Sequence, residues 1–328
     1  MKTMLQVAVG AMSCAMIMSA GNTARADAIV DLSGSDANAG ALSLSAGSYS
    51  LWNLLGGGGT TSGTVVPGAP GGTTTNFGGI STFTPTGDNA KNAILRYYLV
   101  VSNGTQNSVV SLGEIDPNFV GTLSSGNYVL QSNGSTLVFQ DLNAGASGRD
   151  LSNVTNIKLV AVPALLSTPD PATPSTAVQL GGNVTKPGSY TASNLATDFT
   201  PATVETVNGD IYTGVPLYTF LDPDQNNILN QYVAIGATDG YEVVLSLAEV
   251  DPALGGTCGD LLPYADTNHN FPADGVARDI LPCDTAFAHG RWDSDINGIQ
   301  VNSVPEPGSL AMVLAGLAIL PLARRRRG

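Results

Sequence analysis

One segment of about 20 residues occurs twice in this chain, and the repeat restricts the possible folds more than any other feature. Residues 98–117 and 232–252 both begin with Tyr, run through two apolar stretches and end in Ser-Leu-x-Glu-hydrophobic-Asp-Pro. The second copy has one extra residue. Several landmarks in one shared order indicate duplication of a module. The flanking landmarks are Gly-Ser-Tyr at 47–49 and 188–190, Gly-Arg at 148–149 and 290–291, and the segments 152–157 and 294–299.

The repeat predicts two similar modules, at residues 41–163 and 177–303. Between them, residues 164–176 contain Pro169, Pro171 and Pro174 among Ser, Thr and Asp. Such a composition is typical of a stiff, extended linker. A chain of 328 residues is long enough for two domains of this size.

Each module is expected to be rich in β-structure. Asp239-Gly240 between two apolar runs predicts a β-hairpin, and Asn103-Gly104 marks the corresponding turn in the first copy. The Ser-Leu-x-Glu segment predicts a short helical turn that ends at Asp-Pro, and residues 217–221 predict another short helix. A last strand is expected at 154–162 in the first copy and at 296–301 in the second.

The order of motifs in the second copy resembles the molybdopterin-binding domain of sulfite-oxidase-like oxidoreductases. The first copy is a more degenerate version of the same pattern. The resemblance implies an α+β, β-rich fold in two tandem copies. The residues that carry it are Pro187-Gly188-Ser-Tyr190, Gly214-Val215-Pro216-Leu217, Thr238-Asp239-Gly240-Tyr241, Ser246-Leu247-Ala-Glu249-Val-Asp251-Pro252, Tyr264-Ala265-Asp266 and Gly290-Arg291-Trp292.

The resemblance also implies a cofactor, but the residues that should hold it are missing. Catalytic members bind molybdenum through a cysteine thiolate and hold the pterin phosphate with basic and His side chains. The first copy has no cysteine, and neither cysteine of the second copy precedes the hairpin, where the ligand is expected. We therefore expect the fold to be retained and the cofactor to be lost, although a bound molybdopterin stays an alternative.

Arg149 and Arg291 are the basic residues found at equivalent positions. We expect each arginine to pair with a nearby aspartate, Asp150, Asp293 or Asp295, and to cap the last strand. The alternative is an anion contact left over from the cofactor site.

Cys258 and Cys283 are the cysteines expected in the mature chain, 25 residues apart. In an oxidising compartment such a pair most simply forms one disulfide. A zinc site with His269 and His289 is the alternative, but the spacing fits no compact ligand pattern.

Two sets of acidic residues have spacings that could suit a functional site. Glu114 with Asp116, and Glu249 with Asp251, have a spacing that points them to different sides of a turn, so a turn-capping role is expected instead of acid–base catalysis. Oxygen-bearing side chains at alternate positions also suggest calcium loops, although Asn/Asp-rich turns explain the same pattern. The weak calcium candidates are Asp222, Asp224, Asp266, Asn268 and Asn270.

The N-terminal residues predict export. Lys2 precedes an apolar segment at residues 4–20, and Ala24 and Ala26 form the small-x-small pattern of a signal peptidase site. We therefore expect a signal helix within residues 1–26 that signal peptidase removes.

The C-terminal residues predict sorting at the cell envelope. Val304-Pro305-Glu306-Pro307 precedes an apolar run at 310–322, and Arg324, Arg325, Arg326 and Arg327 follow it. The run predicts a short transmembrane helix, with the arginines as its cytoplasmic stop. This order, over residues 304–328, resembles the PEP-CTERM sorting signal of Gram-negative bacteria that make exopolysaccharide. It implies cleavage by an exosortase near Pro305–Pro307; an ordinary membrane anchor is the alternative.

The charge of the mature chain excludes one class of partner. Seven of the 13 Lys and Arg lie outside the two predicted sorting segments, against 26 Asp and Glu, which gives a net charge of about −19. Such a surface repels nucleic acid, so no nucleic-acid partner is expected.

Three functions follow in order of preference. The first is a non-catalytic structural or binding protein, held in the inner membrane before processing and then placed at the cell surface or in the exopolysaccharide matrix. The second is a periplasmic molybdopterin-dependent oxidoreductase. The third is a calcium-stabilised adhesin or glycan-binding protein.

Overall fold

Strands make up most of the described chain, with only short helices between them. The computed structural model describes residues 28–34, 40–54, 66–67, 95–116, 119–120, 127–143, 146–165, 170, 172–205, 209–254, 256, 258–267, 275–284 and 291–304. Within these residues the fold is of the β-rich α+β class that the sequence predicts.

The first half of the molecule (residues 28–162) is built mainly of short strands. They are β1 (Ala28–Gly34), β2 (Gly40–Leu44), β3 (Gly47–Ser50), β4 (Val66–Pro67), β5 (Tyr97–Ser102), β6 (Asn107–Ser111), β7 (Tyr128–Ser132), β8 (Leu137–Asp141), β9 (Leu151–Ser152) and β10 (Asn156–Ala161). The helices are α1 (Leu51–Leu54), α2 (Leu112–Ile115) and a 3-10 turn at Ala146–Arg149.

The second half (residues 178–304) has a similar succession. Its strands are β11 (Val178–Gly182), β12 (Gly188–Tyr190), β13 (Ala202–Glu205), β14 (Ile211–Pro216), β15 (Gln231–Ala237), β16 (Glu242–Ser246), β17 (Leu261–Asp266) and β18 (Ile296–Ser303). Its helices are α3 (Ala192–Asp198), α4 (Leu217–Leu221) and α5 (Leu247–Val250), with 3-10 turns at Ile228–Asn230 and Pro252–Leu254.

The large sheets of the two halves share one strand order. In the first half it is β2-β1-β10-β5-β6, with β4 added beyond β2; in the second it is β12-β11-β18-β15-β16. In both sheets the first strand of the half pairs in parallel with the last, and the other pairs are antiparallel. The smaller sheets differ, with orders β3-β7-β8-β9 and β13-β14-β17. Because β1 lies before residue 41, the first large sheet begins earlier than the predicted start of the module.

Both predicted hairpins are present. Strand β15 pairs with β16 around Asp239-Gly240, and β5 pairs with β6 around Asn103-Gly104. Each glycine has a φ of 87°, a left-handed conformation that glycine adopts without strain. The preceding Asn or Asp accepts a backbone N–H across the turn, from Gln106 at 2.8 Å and from Tyr241 at 2.8 Å. A hydrogen bond from a backbone N–H to the Asn or Asp side chain therefore stabilises both turns.

The predicted helical turns are also present. Ser111 caps α2, and a capping box with Glu114 closes it. Ser246 caps α5 in the same way by accepting the N–H of Glu249. Each helix ends at the aspartate that precedes a proline, because proline disfavours the helical conformation of the residue before it. Helix α4 occupies the residues predicted for it.

The hairpin strands are buried on both faces, which explains why they are continuous apolar runs instead of alternating ones. Along β5, Leu99 belongs to the larger hydrophobic cluster, whereas Tyr98 packs against the other half of the molecule. The rings of Tyr98 and Tyr232 stack with centroids 4.5 Å apart. This second cluster, called the junction core here, comprises Tyr98, Val100, Val109, Val162, Ala234, Val244 and Val304.

The described part of the predicted linker is bonded to the second half instead of spanning a gap. The N–H of Leu165 donates to Glu242 Oε2 at 3.1 Å, and that of Asp170 donates to the carbonyl of Thr238 at 2.7 Å. The N–H of Ser175 donates to Asp295 Oδ1 at 2.6 Å. These bonds fix the chain along the second half as it leaves the first.

Several predicted segments fall outside the described residues. They are the signal helix and its Ala24 and Ala26, the membrane helix with Arg324, Arg325, Arg326 and Arg327, and the motif residues Pro305, Glu306 and Pro307. Among the helices of the described ranges, none is both long and apolar enough to cross a bilayer.

Candidate functional site at the junction of the two halves

The repeated helical turns bring the charged residues of both halves to one buried place. Ser111 and Ser246 each end a hairpin strand and begin a short helix, and the third helical residue is a glutamate in both. The group formed around them is called the junction cluster here. It comprises Ser111, Glu114, Asp141 and Arg149 of the first half with Ser246, Glu249, Asp284 and Arg291 of the second.

Arg149 is bound on almost every side. Its Nη1 lies 3.0 Å from Glu114 Oε2 and 3.0 Å from Asp141 Oδ2. Its Nη2 donates to Glu114 Oε1 at 3.1 Å, to the carbonyl of Val109 at 3.0 Å and to Ser246 Oγ at 3.3 Å. The side chain is only 1% exposed. Arg149 does form an ion pair with carboxylates, as predicted, but its partners are Glu114 and Asp141.

Arg291 repeats this arrangement with its own partners. Its Nε and Nη2 donate to the two oxygens of Asp284, at 2.9 Å and 2.7 Å. Its Nη1 donates to Glu249 Oε1 at 3.1 Å. Such two-pronged pairing is the strongest geometry open to a guanidinium and a carboxylate.

The predicted aspartate partners of these arginines were wrong because each makes other contacts. Asp150 Oδ1 accepts the N–H of Asp141 at 3.1 Å. Asp295 accepts from Ser175 and from the hydroxyl of Thr238. Asp293 lies beside Asp279, whose Oδ1 accepts its N–H. The predicted partners are neighbours of the arginines in sequence, whereas the observed partners come from other elements of the fold.

Hydrogen bonds between two pairs of side chains connect the halves through this cluster. Ser111 Oγ donates to Glu249, 3.2 Å from Oε2 and 3.4 Å from Oε1, and Arg149 Nη2 donates to Ser246 Oγ at 3.3 Å. Each capping serine thus also contacts a charged group of the other half. The cluster therefore joins the two halves as well as stabilising each.

The two equivalent glutamates differ in electrostatics. Burial alone would raise the pKa of Glu114, but Arg149 outweighs it and holds that pKa below its ordinary value. Burial, reinforced by the negative charge of Glu114, raises the pKa of Glu249 well above its ordinary value. The hydroxyl of Tyr128 donates a further hydrogen bond to Glu114 Oε2 at 3.1 Å within the first half.

The geometry favours a structural role for these residues over an anion contact. In Arg291, both terminal nitrogens and Nε donate to carboxylates, and in Arg149 both terminal nitrogens are engaged. An anion would have to displace a carboxylate already buried against them. Glu114 caps its helix, as expected, and also forms half of the ion pair.

Cys258 and Cys283 are joined by a disulfide, the pairing expected from the sequence, with their Cα atoms 5.5 Å apart. Closing a loop of this length stabilises a fold by about 3 kcal/mol in the chain-entropy model. Asp284 follows the second cysteine, so the disulfide also anchors the loop that presents it to Arg291. His269 and His289 lie outside the described residues.

The residues present do not fit a molybdopterin. Its metal requires a free thiolate, but both cysteines of the second half are consumed by the disulfide. Its phosphate requires basic donors, but Arg149 and Arg291 are neutralised by buried carboxylates.

The first calcium candidates are bound to protein groups. Asp222 Oδ2 accepts from the hydroxyl of Thr185 and lies 4.0 Å from Lys186 Nζ. Asp224 Oδ1 accepts from the backbone N–H of Asn226 at 3.1 Å and from its side-chain amide at 2.7 Å. The Asp224 contacts are those of an Asn/Asp turn, whereas Asp222 contacts residues from another part of the chain.

The second set is only partly described. Asp266 is the last residue of β17 and lies opposite Tyr212 of β14, whereas Asn268 and Asn270 fall outside the described residues. Within the described ranges, no three or more His, Cys, Asp or Glu side chains come together as a metal site would require.

Val304, the first residue of the predicted sorting motif, is bound at the junction. The N–H of Val304 donates to the carbonyl of Asn230 at 2.8 Å, and Asn230 Nδ2 donates back to the carbonyl of Val304. The Val304 side chain is buried in the junction core.

Sequence reasoning missed Asp141 and Asp284, although a signal was present. Asp141 precedes Arg149 by eight residues, and Asp284 precedes Arg291 by seven. This similar spacing, of seven or eight residues between aspartate and arginine, matches Asp141 with Asp284 in the two copies. Asp279 and Asp293, both buried, carried no comparable signal.

Comparison with models of known protein families gives no match, and comparison with curated protein sequences gives none either.

Proposed function

We propose that this chain is an exported, non-catalytic structural or binding protein, which an exosortase processes and delivers to the cell surface or the exopolysaccharide matrix. One observation carries the non-catalytic part of the proposal. The arginines and glutamates found at equivalent positions in both copies bond to one another in a buried cluster that connects the halves. Groups used in this way are not available to a substrate.

We also propose that the two halves are degenerate copies of a sulfite-oxidase-like molybdopterin-binding module. The common strand order of the large sheets supports a duplication, and the motif order of the second half supports this family. The disulfide and the neutralised arginines support the loss of the cofactor.

Sorting is tested by following the mass of the protein in a Gram-negative host with an exosortase and in a strain lacking it. We expect the chain to lose its C-terminal segment near Pro305–Pro307 only where the enzyme is present. A variant with Pro305→Ala and Pro307→Ala is the matched control and should stay uncut. An uncut wild-type chain in both strains would overturn the proposal.

Loss of the cofactor is tested by the molybdenum and pterin content of residues 27–304 purified from the periplasm of a host that makes molybdopterin. We expect neither above background. Stoichiometric molybdenum together with a fluorescent pterin oxidation product would favour the oxidoreductase instead.

A further inference from the structure

The equivalent glutamates of the two halves meet within the junction cluster. Glu114 of α2 and Glu249 of α5 hold the same position in their helices. Both accept from Ser111, Glu114 from its backbone N–H at 2.6 Å and Glu249 from its hydroxyl at 3.2 Å. Their carboxyl groups lie within hydrogen-bonding reach of each other. Because an ionised carboxylate can only accept hydrogen bonds, this contact is favourable only while one of the two glutamates carries a proton.

The charge balance of the cluster also requires a proton. Among the described residues, its charged members are four carboxylates and two guanidinium groups, those of Glu114, Asp141, Glu249, Asp284, Arg149 and Arg291. If all four carboxylates were ionised, two buried negative charges would have no counter-charge. A buried carboxylate in that position is neutralised by taking up a proton.

The hydrogen-bond donors decide which glutamate carries this proton. Within the described part of the chain, Glu114 accepts from four donors, two of which are the terminal nitrogens of Arg149. Glu249 accepts from one nitrogen of Arg291 and from the hydroxyl of Ser111. Hydrogen bonds to the charged form stabilise a carboxylate, so Glu114 stays ionised and Glu249 takes the proton. The opposite pKa shifts of the two glutamates agree with this assignment.

The charged and titratable groups around Glu249 and its partners come from both halves. They are Glu114, Tyr128, Asp141 and Arg149 of the first half and Asp260, Asp284 and Arg291 of the second. Burial raises the pKa of Asp260 to about 7, so this neighbour needs a control of its own. The Glu249 side chain is 10% exposed, which lets its proton exchange with solvent.

We propose that one proton, carried by Glu249 and shared with Glu114, couples the two halves, and that its loss at alkaline pH weakens this coupling. Loss of the proton leaves two ionised carboxylates facing each other, and their repulsion acts on short helices that belong to different halves. This inference goes beyond the proposed surface function and depends neither on sorting nor on loss of the cofactor.

The direction of the pH effect follows from linkage. A carboxyl group with a raised folded pKa contributes its full stabilisation below its unfolded pKa, about 4.3 for glutamate. That contribution is lost as pH rises through the raised folded pKa. Coupling between the halves should therefore be strong in acid and weak in alkali.

Carbon-13 NMR with label at the glutamate side-chain carboxyl carbons tests where the proton lies, because the buried aspartates then give no signal. At pH 7 we expect the Glu249 carbon to have the chemical shift of a protonated acid and the Glu114 carbon that of a carboxylate. Glu249→Gln assigns the first signal, and Glu242→Gln identifies the other glutamate whose pKa burial raises. A wild type in which every glutamate carbon is ionised at pH 7 would overturn the proposal.

Urea denaturation between pH 5 and pH 7 tests whether the proton stabilises the fold. Glu249→Gln keeps an acceptor and a donor in the same shape but takes up no proton. Relative to this variant, the folding equilibrium constant of the wild type should fall about tenfold per pH unit, as linkage requires for one proton bound on folding. Glu205→Gln, at an exposed position of β13, is the matched control and should follow the wild type. Parallel profiles of the wild type and Glu249→Gln would refute the proposal.

Calorimetry tests whether the same proton couples the halves. In the wild type the calorimetric and van't Hoff enthalpies should agree at pH 6, and the calorimetric value should exceed the other at pH 9. In Glu249→Gln the two should agree at both pH values. The same contrast is expected in an Asp260→Asn background, which removes the neighbour that titrates near pH 7. Agreement of the two enthalpies in the wild type at both pH values would overturn the proposed coupling.

Discussion

At the residue scale, the burial of Arg149 makes it the most sensitive single position of the junction cluster. Arg149→Met would leave Glu114 and Asp141 buried without their cation, which typically costs about 3–5 kcal/mol. We expect a fall of this size in the free energy of unfolding, measured by urea denaturation. Arg149→Lys should recover only part of it, because an ammonium cannot form the forked bonds.

Lys158→Met provides the matched control for this prediction, since Lys158 lies on an exposed position of β10. It should change stability by no more than about 0.5 kcal/mol. If Arg149→Met unfolds within about 1 kcal/mol of wild type, the cluster contributes little to stability.

A second residue-scale prediction concerns the buried Asp279. Burial raises its pKa to about 8, and it lies beside Asp293, whose pKa burial and the charge of Asp279 also raise. A carboxyl group with a raised folded pKa binds more protons when folded, so its stabilisation is complete below about pH 4 and is lost as pH rises towards 8. The wild type should therefore be less stable at pH 8 than at pH 5.

Asp279→Asn keeps the shape and the oxygen that accepts the N–H of Asp293. At pH 8 it should exceed the wild type in stability by at least about 1.4 kcal/mol, the equivalent of one pKa unit. Urea midpoints at pH 5 and pH 8 measure the effect, with the exposed Asp198→Asn as control. An equal pH dependence in the wild type and Asp279→Asn would contradict it.

At the element scale, short helix α2 packs directly on the arginine of the other half. A Cβ atom added at Gly113 would lie 2.4 Å from Arg291 Cδ, and that arginine is held by Asp284 and Glu249. Gly113→Ala should therefore lower the free energy of unfolding by about 1–3 kcal/mol through overpacking. Gly298→Ala, in β18 with open space around it, should be close to neutral.

Thermal or urea midpoints of the two glycine variants test this packing side by side. Equal midpoints would mean that α2 and Arg291 are not in contact in solution.

Elements were predictable from the sequence where local chemistry defines them. The Asp239-Gly240 and Asn103-Gly104 turns, the serine caps and the Asp-Pro helix ends act over a few residues, so the hairpins and helices were expected correctly. The glutamate partners of Arg149 and Arg291 depend instead on contacts between distant parts of the chain, 35 residues apart for Glu114 and 42 for Glu249. No local pattern encodes such contacts.

The same limit explains the strands that are buried on both faces. The run at residues 97–101 is apolar throughout, which indicates burial on both sides without saying what covers each side. The structure supplies the answer, since the second side of the hairpin faces the other half in the junction core. A duplicated sequence predicts two similar units but not the surface through which they meet.

At the scale of the whole molecule, the junction core and the junction cluster should make the two halves unfold together. Tyr98 stacks on Tyr232, Val109 and Val244 belong to the same core, and the serine bonds cross nearby. We expect a single thermal transition in the wild type, with equal calorimetric and van't Hoff enthalpies.

Val244→Asp tests this coupling, because it places a charge in the junction core, where the native side chain is 1% exposed. The two halves should then unfold independently, and calorimetry should resolve two thermal transitions. Val243→Ala is the control: this neighbour points into the larger cluster, so its loss should lower the melting temperature without splitting the transition. A wild type that already melts in two steps, or a Val244→Asp variant that melts in one, would mean that the halves are not coupled through this surface.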